Sequence, residues 1–158
     1  MQVSSDLVDE AARHWSERHG SPAQFRALTS LVRSYAATAR AIDELLAPLD
    51  LTLSRFEVLL TLSFARPRGL SMTRLRTVLM VHGSSVTYLV DRLVAAQLVE
   101  RASDNADRRV SLVRLTPTGR ERIERASQAL IDGGFGPLAG LDEPELETLA
   151  ELLAAIRR

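Results

Sequence analysis

The segment that most narrows the folds open to this chain covers residues 84–119 and reads SSVTYLVDRLVAAQLVERASDNADRRVSLVRLTPTG. Apolar residues at helical spacing give way near Gln97 to a short apolar run over 98–102. A tip rich in Asp, Asn and Arg follows over 103–109, then a second apolar run over 110–115. Two short apolar runs around a polar, turn-forming tip predict an antiparallel hairpin. Thr116-Pro117 then starts a helix to about 132, with Thr as cap and Pro in the first turn.

Upstream, Leu70 reads as a one-residue strand stub, and Ser71 caps a helix over 72–79. Met80-Val81 forms a turn, and His82 stands at the next N-cap. The following helix runs over 83–96 and ends at Gln97, where glycine is the usual stop. Two short helices joined by a tight turn and followed by a hairpin make a winged helix-turn-helix. Leu75, Leu79, Val81, Val86, Leu89, Val90 and Leu93 are its expected core.

That arrangement exposes Ser84, Ser85, Thr87 and Tyr88 at the start of the second helix. Short hydroxyls and one aromatic suit phosphate and base-edge contacts in a major groove. Helix capping and solvation account for hydroxyls equally well. The first two turns hold no Asn, Gln or Arg, so direct base readout is expected to be modest. Arg74 and Arg76 on the preceding helix can reach phosphates. At the hairpin tip stand Asp107, Arg108 and Arg109. An arginine there suits a narrow minor groove, where negative potential is focused, and Asp107 can hold Arg109 extended. A solvated charge run on a loop is the commoner meaning of such residues. Their register with the strands and preceding helix favours DNA.

The remaining chain is helical. Leu7, Val8, Ala11, Ala12 and Trp15 give an amphipathic helix over 5–19 that ends at Gly20. Ser21-Pro22 opens a long helix over 22–47 with a broad apolar face, from Phe25 to Leu46. Ser54 is the expected cap of a helix over 55–64. Glycines and Pro137 break the chain over 133–137, and Asp142 with Glu145 forms a capping box for a last helix over 143–157. The fold class is mainly α with a small β-hairpin wing. Residues 1–48 are expected to serve dimerisation and cover a pocket, 49–116 to bind DNA, and 117–158 to dimerise, all in one compact chain. The apolar stripes at both ends have little left to cover them, which predicts a homodimer. A twofold dimer suits a palindromic site.

Formal net charge is zero, but its distribution is uneven. Residues 1–54 hold 5 Arg against 7 acids, residues 55–125 hold 13 against 7, and residues 126–158 hold 2 against 6. A local basic face, not the sum, attracts phosphate. All 20 basic residues are arginine. With no cysteine, disulfides and thiol-based sensing are excluded, and three scattered histidines argue against a metal site. No cofactor is expected. No apolar run reaches the roughly 18 residues of a membrane span. The N-terminus lacks a hydrophobic signal segment, so a cytoplasmic location is expected.

With these features in place, the chain resembles the MarR family of bacterial transcription regulators. The matching elements are Leu93 to Leu98-Val99, then Asp107-Arg108-Arg109, then Thr116-Pro117-Thr118-Gly119 at the family's spacing. The resemblance implies a winged-helix homodimer on a palindromic operator, usually a repressor released by a small molecule. It also implies recognition-helix contacts from Ser84, Ser85, Thr87 and Tyr88, a wing arginine at Arg109 oriented by Asp107, and a second phosphate contact at Arg108. Gln97 departs from the family's usual glycine, and His82-Gly83 from its usual helix start.

The helix over 5–19 is similar to one in a branch whose members carry a tryptophan over an effector pocket. In that branch's urate-responsive members a tryptophan, an acid and arginines form the site. Trp15, Glu57 and Arg101 fall at matching positions, whereas Leu89 stands where one arginine belongs and the acid is Glu instead of Asp. A small aromatic or carboxylate effector is the implied ligand. The commoner roles are a hydrophobic lid for Trp15, an arginine partner for Glu57, and a wing-strand phosphate or ion-pair residue for Arg101. An enzyme finds no support, since no nucleophile-base pair or phosphate loop is legible. The remaining alternative is a winged-helix module for protein contacts without DNA binding, which has no need of Arg109 or of a basic middle.

Overall fold

The computed structural model describes residues 3–65, 69–79, 83–103 and 111–157. The chain divides into two compact units, residues 1–41 and 42–158.

The first unit holds α1 (Val3–His19) and most of α2 (Pro22–Leu46). Val8 and Ala12, one helical turn apart, are the buried apolar positions of α1. The Trp15 ring stacks on Phe25 with centroids 4.6 Å apart and tilts against His19 at 4.5 Å. Arg26 donates to the Asp9 carboxylate across 3.4 Å. The turn between the helices uses two left-handed residues, Gly20 (φ 68°) and Ser21 (φ 51°). Ser21 therefore lacks the extended backbone that its expected capping role requires.

The second unit is built around α3 (Leu53–Ser63), which packs against α4 (Met72–Leu79), α5 (Gly83–Ala95) and α6 (Pro117–Asp132). Val58 and Leu59 of α3 are fully buried, as are Leu75, Val86, Val90 and, nearly so, Leu93. Leu79 and Leu89 are half-buried against that core. The expected core position Val81 lies outside the described residues. The helix expected over 55–64 starts earlier: Thr52, not Ser54, caps it by accepting from the Arg55 amide. Asp43 adds a second cap, accepting from the Leu53 amide at 2.6 Å. A 3₁₀ turn at Ala47–Leu49 joins α2 to α3, and another at Gly136–Gly140 follows α6.

Three short strands complete the unit. The stub at Leu70 is a two-residue strand, β1 (Leu70–Ser71), paired antiparallel with β3 (Ser111–Leu115). β3 pairs in turn with β2 (Val99–Ser103), in register Val99 to Leu115 and Ser103 to Ser111. Val99, Val113 and Leu115 turn inward, so the hairpin base is part of the core.

The junction from α5 into the hairpin is tightly held. Gln97 takes φ 58°, the left-handed stop that glycine usually provides. Its amide donates to the Val94 carbonyl and that of Leu98 to the Leu93 carbonyl, each at 2.9 Å, which is the Schellman closure of a helix end. Thr116 caps α6 by accepting from the Gly119 amide, and its hydroxyl donates to the Gln97 carbonyl at 2.7 Å. A Cβ on Gly119 would lie 1.9 Å from the Leu98 carbonyl oxygen. Only glycine lets α6 start this close to the hairpin.

The last helix, α7 (Glu143–Ile156), has the expected capping box, with Asp142 and Glu145 exchanging hydrogen bonds at 3.0 Å. None of its residues is buried.

Candidate nucleic-acid interface

The helix pair α4–α5 is oriented from within. Leu75, Val86, Val90 and Leu93 anchor one face of each helix in the core, so at 100° per residue the positions opposite that face, Ser85 and Tyr88 among them, turn outward. Ser85 and Tyr88 are exposed and Thr87 is half-buried. The side chain of Ser84 lies outside the described residues. On α4, Ser71 accepts from the Arg74 amide at 3.2 Å and fixes the first turn, which leaves Arg74 and Arg76 exposed.

Arg76 Nη2 donates to Thr87 Oγ1 at 3.4 Å. Two residues assigned to phosphate and base-edge contact are thus brought together across the helix pair. One turn along α5, Arg92 Nε donates to the Tyr88 hydroxyl at 3.2 Å, and its guanidinium carbon lies 5.3 Å from the ring centroid. The hydrogen bond and charge of Arg92, with a smaller contribution from Arg55 on α3, hold the Tyr88 phenol below its usual pKa. Arg92 and Arg55 were not anticipated as part of this surface. The four-residue spacing of Tyr88 and Arg92 was a legible signal. The approach of Arg55 depends on helix packing and was not legible.

The wing tip residues Asp107, Arg108 and Arg109 lie outside the described residues. Their supporting strands are described. Arg114 of β3 pairs with Glu100 of β2 at 2.7 Å, directly opposite in register. Arg101 of β2 reaches Asp91 of α5 at 2.6 Å, tying the wing to the recognition helix. These pairs are exposed and contribute geometry more than stability.

The three residues singled out for an effector occupy different settings. Trp15 belongs to the first unit, stacked on Phe25. Arg101 is engaged by Asp91. Glu57, on α3, lines a cleft of about 200 Å³ with Leu60, Thr61, Val78 and Leu79, and partial burial raises its carboxyl above the usual range. Among the described residues no group of His, Asp or Glu gathers to hold a metal ion. No described helix is long and apolar enough to cross a membrane.

Comparison with known proteins bears on this surface. The MarR family model matches residues 49–110. The chain is 36% identical over 118 residues to the multiple antibiotic resistance protein MarR of Escherichia coli, covering 74% of this chain and 81% of that one. Sco5413, a MarR family transcriptional regulator from Streptomyces coelicolor, superposes with a TM-score of 0.79 at 33% identity, covering 85% of this chain and 92% of the other. A variant of Escherichia coli MarR complexed with operator DNA superposes with a TM-score of 0.72 at 28% identity, covering 90% and 96%.

Proposed function

This chain belongs to the MarR family of transcriptional regulators, and from that premise we propose that it is a homodimeric repressor that binds a palindromic DNA operator. The observation that carries the reading is the outward face of α4 and α5. A packed core fixes it, it leaves Arg74, Arg76, Ser85 and Tyr88 exposed, and it brings Arg76 to Thr87 across the helix pair. The side chain of Ser84 and the wing residues Asp107, Arg108 and Arg109 extend the proposed contact set. The arginines supply sequence-independent phosphate affinity and the hydroxyls position the helix.

Dimerisation is supported by unpartnered apolar surface at both ends. Tyr35 of α2 is 70% exposed, and Leu152 and Ile156 of α7 are 62% and 67% exposed. Such surface in residues 1–48 and 117–158 suits a twofold interface around the DNA-binding residues 49–116. The protein would act in the compartment that holds its DNA, the cytoplasm of a bacterium. We further propose that the chain responds to a small aromatic or carboxylate effector, with Glu57 and the cleft it lines on α3 as a contact. The cleft of about 200 Å³ that Glu57 lines with Leu60, Thr61, Val78 and Leu79 supports this.

Fluorescence anisotropy with duplexes from upstream of the protein's own gene tests the reading. The expected stoichiometry is two chains per site, with half-sites about one helical turn apart. A folded protein that binds no such duplex would favour the protein-interaction module. A thermal-shift screen of small aromatic and carboxylate metabolites tests the effector assignment, and a hit must also release DNA.

A further inference from the structure

Tyr88 and Arg92 lie one turn apart on the exposed face of α5, and the contact between them is unusually complete. Arg92 touches both the phenol oxygen and the ring face. The carboxylate next to Arg92, Asp91, is engaged by Arg101. Tyr88 itself is 55% exposed.

A phenol hydroxyl has one proton to donate and two lone pairs to receive. Arg92 occupies a lone pair and surrounds the oxygen with positive potential. An approaching donor is repelled, and the hydroxyl proton is left to be given away. What complements it is an electron-rich acceptor: a phosphate oxygen, or a purine N7, guanine O6 or thymine O4 in the major groove.

We propose that Tyr88 and Arg92 act as one reading unit, in which Arg92 commits the Tyr88 hydroxyl to donate outward to an acceptor on the DNA. Arg92 is then a positioning residue, and its cationic end faces the same backbone. This deepens the DNA-binding reading and rests on it. The unit also gives the recognition helix a directional contact, although its first two turns carry no Asn, Gln or Arg.

The test compares the parent with Tyr88→Phe, Arg92→Lys and the double variant on an operator duplex, with circular dichroism melting to establish that each is folded. Tyr88→Phe should weaken binding about three- to tenfold, as the loss of one hydrogen bond implies. Arg92→Lys keeps the charge but loses the planar Nε donor, and should weaken binding to a similar extent. The double variant should bind no worse than the weaker single variant, because both remove the same contact. A Tyr88→Phe loss uniform across operator sequences identifies a phosphate acceptor, and a loss tied to one base pair identifies a base edge. Either supports the unit. In the free protein, ultraviolet titration should show the Tyr88 phenol ionising below the ordinary tyrosine range, and Arg92→Gln should abolish that lowering. Among the described residues, the charged groups that act on the phenol are Arg92, which contacts it, and more weakly Arg55 on α3. Unchanged binding by folded Tyr88→Phe, or losses that multiply independently, would overturn the proposal and leave the DNA reading intact. A parent that binds no duplex removes both.

Discussion

Gln97 is a residue in the wrong conformation for its type. Its φ of 58° is favourable for glycine and costs about 1 kcal/mol or more for a residue with a Cβ. Its exposed side chain offers no burial in return, since the useful atoms there are backbone groups bonded to Val94 and Thr116. Gln97→Gly should therefore raise unfolding stability by about 0.5–1 kcal/mol, measured by urea titration. A second residue-scale expectation concerns Glu57. Its side chain stays exposed by surface area, but partial desolvation of the carboxyl in its cleft raises the folded-state pKa above the unfolded value, so the effect is small. The unfolded chain then loses this proton first as pH rises, so stability falls from the usual carboxylate range up to the folded pKa. Glu57→Gln should stabilise the protein at neutral pH but not in acid below that range. Thermal melts at the two pH values check this, and an equal gain at both would mean that charge burial is not the cause.

At the scale of elements, the helix-turn-helix and hairpin were legible because each boundary carries its own chemistry. Ser71, Thr116 with Pro117, and Asp142 with Glu145 are caps written in sequence, and each forms its expected hydrogen bond. Boundaries that depend on distant partners were not legible. Asp43 reaches the Leu53 amide from ten residues away, and α3 begins accordingly at Leu53 instead of 55. The turn at Ser21 looked like a cap because its residue types fit, but the backbone passes through a left-handed conformation. The exposure of Arg74, Arg76, Ser85 and Tyr88 was legible from apolar spacing alone. The Arg55 contribution was not, because it comes from packing α3 beside α5. Two elements carry direct tests. Arg109→Ala, in the segment between β2 and β3, should weaken operator binding at least tenfold while leaving the oligomeric state unchanged in sedimentation. Deleting residues 143–158 removes α7, whose residues are all unburied. The truncated chain should lose its stable dimer, and a well-behaved truncated dimer would place the interface elsewhere.

For the whole molecule, a formal charge of zero conceals an organised field. Residues 55–125, which include the helix-turn-helix and the hairpin strands, hold 13 arginines against 7 acids, while the acidic excess lies in the end segments. A chain so arranged would be attracted to phosphate mainly through that segment, and a twofold dimer would present it twice. Binding of duplex DNA by this basic region would release counterions, which makes it measurable through salt. Equilibrium binding to upstream duplex DNA should weaken by about a thousandfold between roughly 50 and 200 mM salt, as neutralisation of about six phosphates requires. Binding that does not change with salt, or no binding to any upstream duplex by the folded protein, would contradict DNA binding by this region.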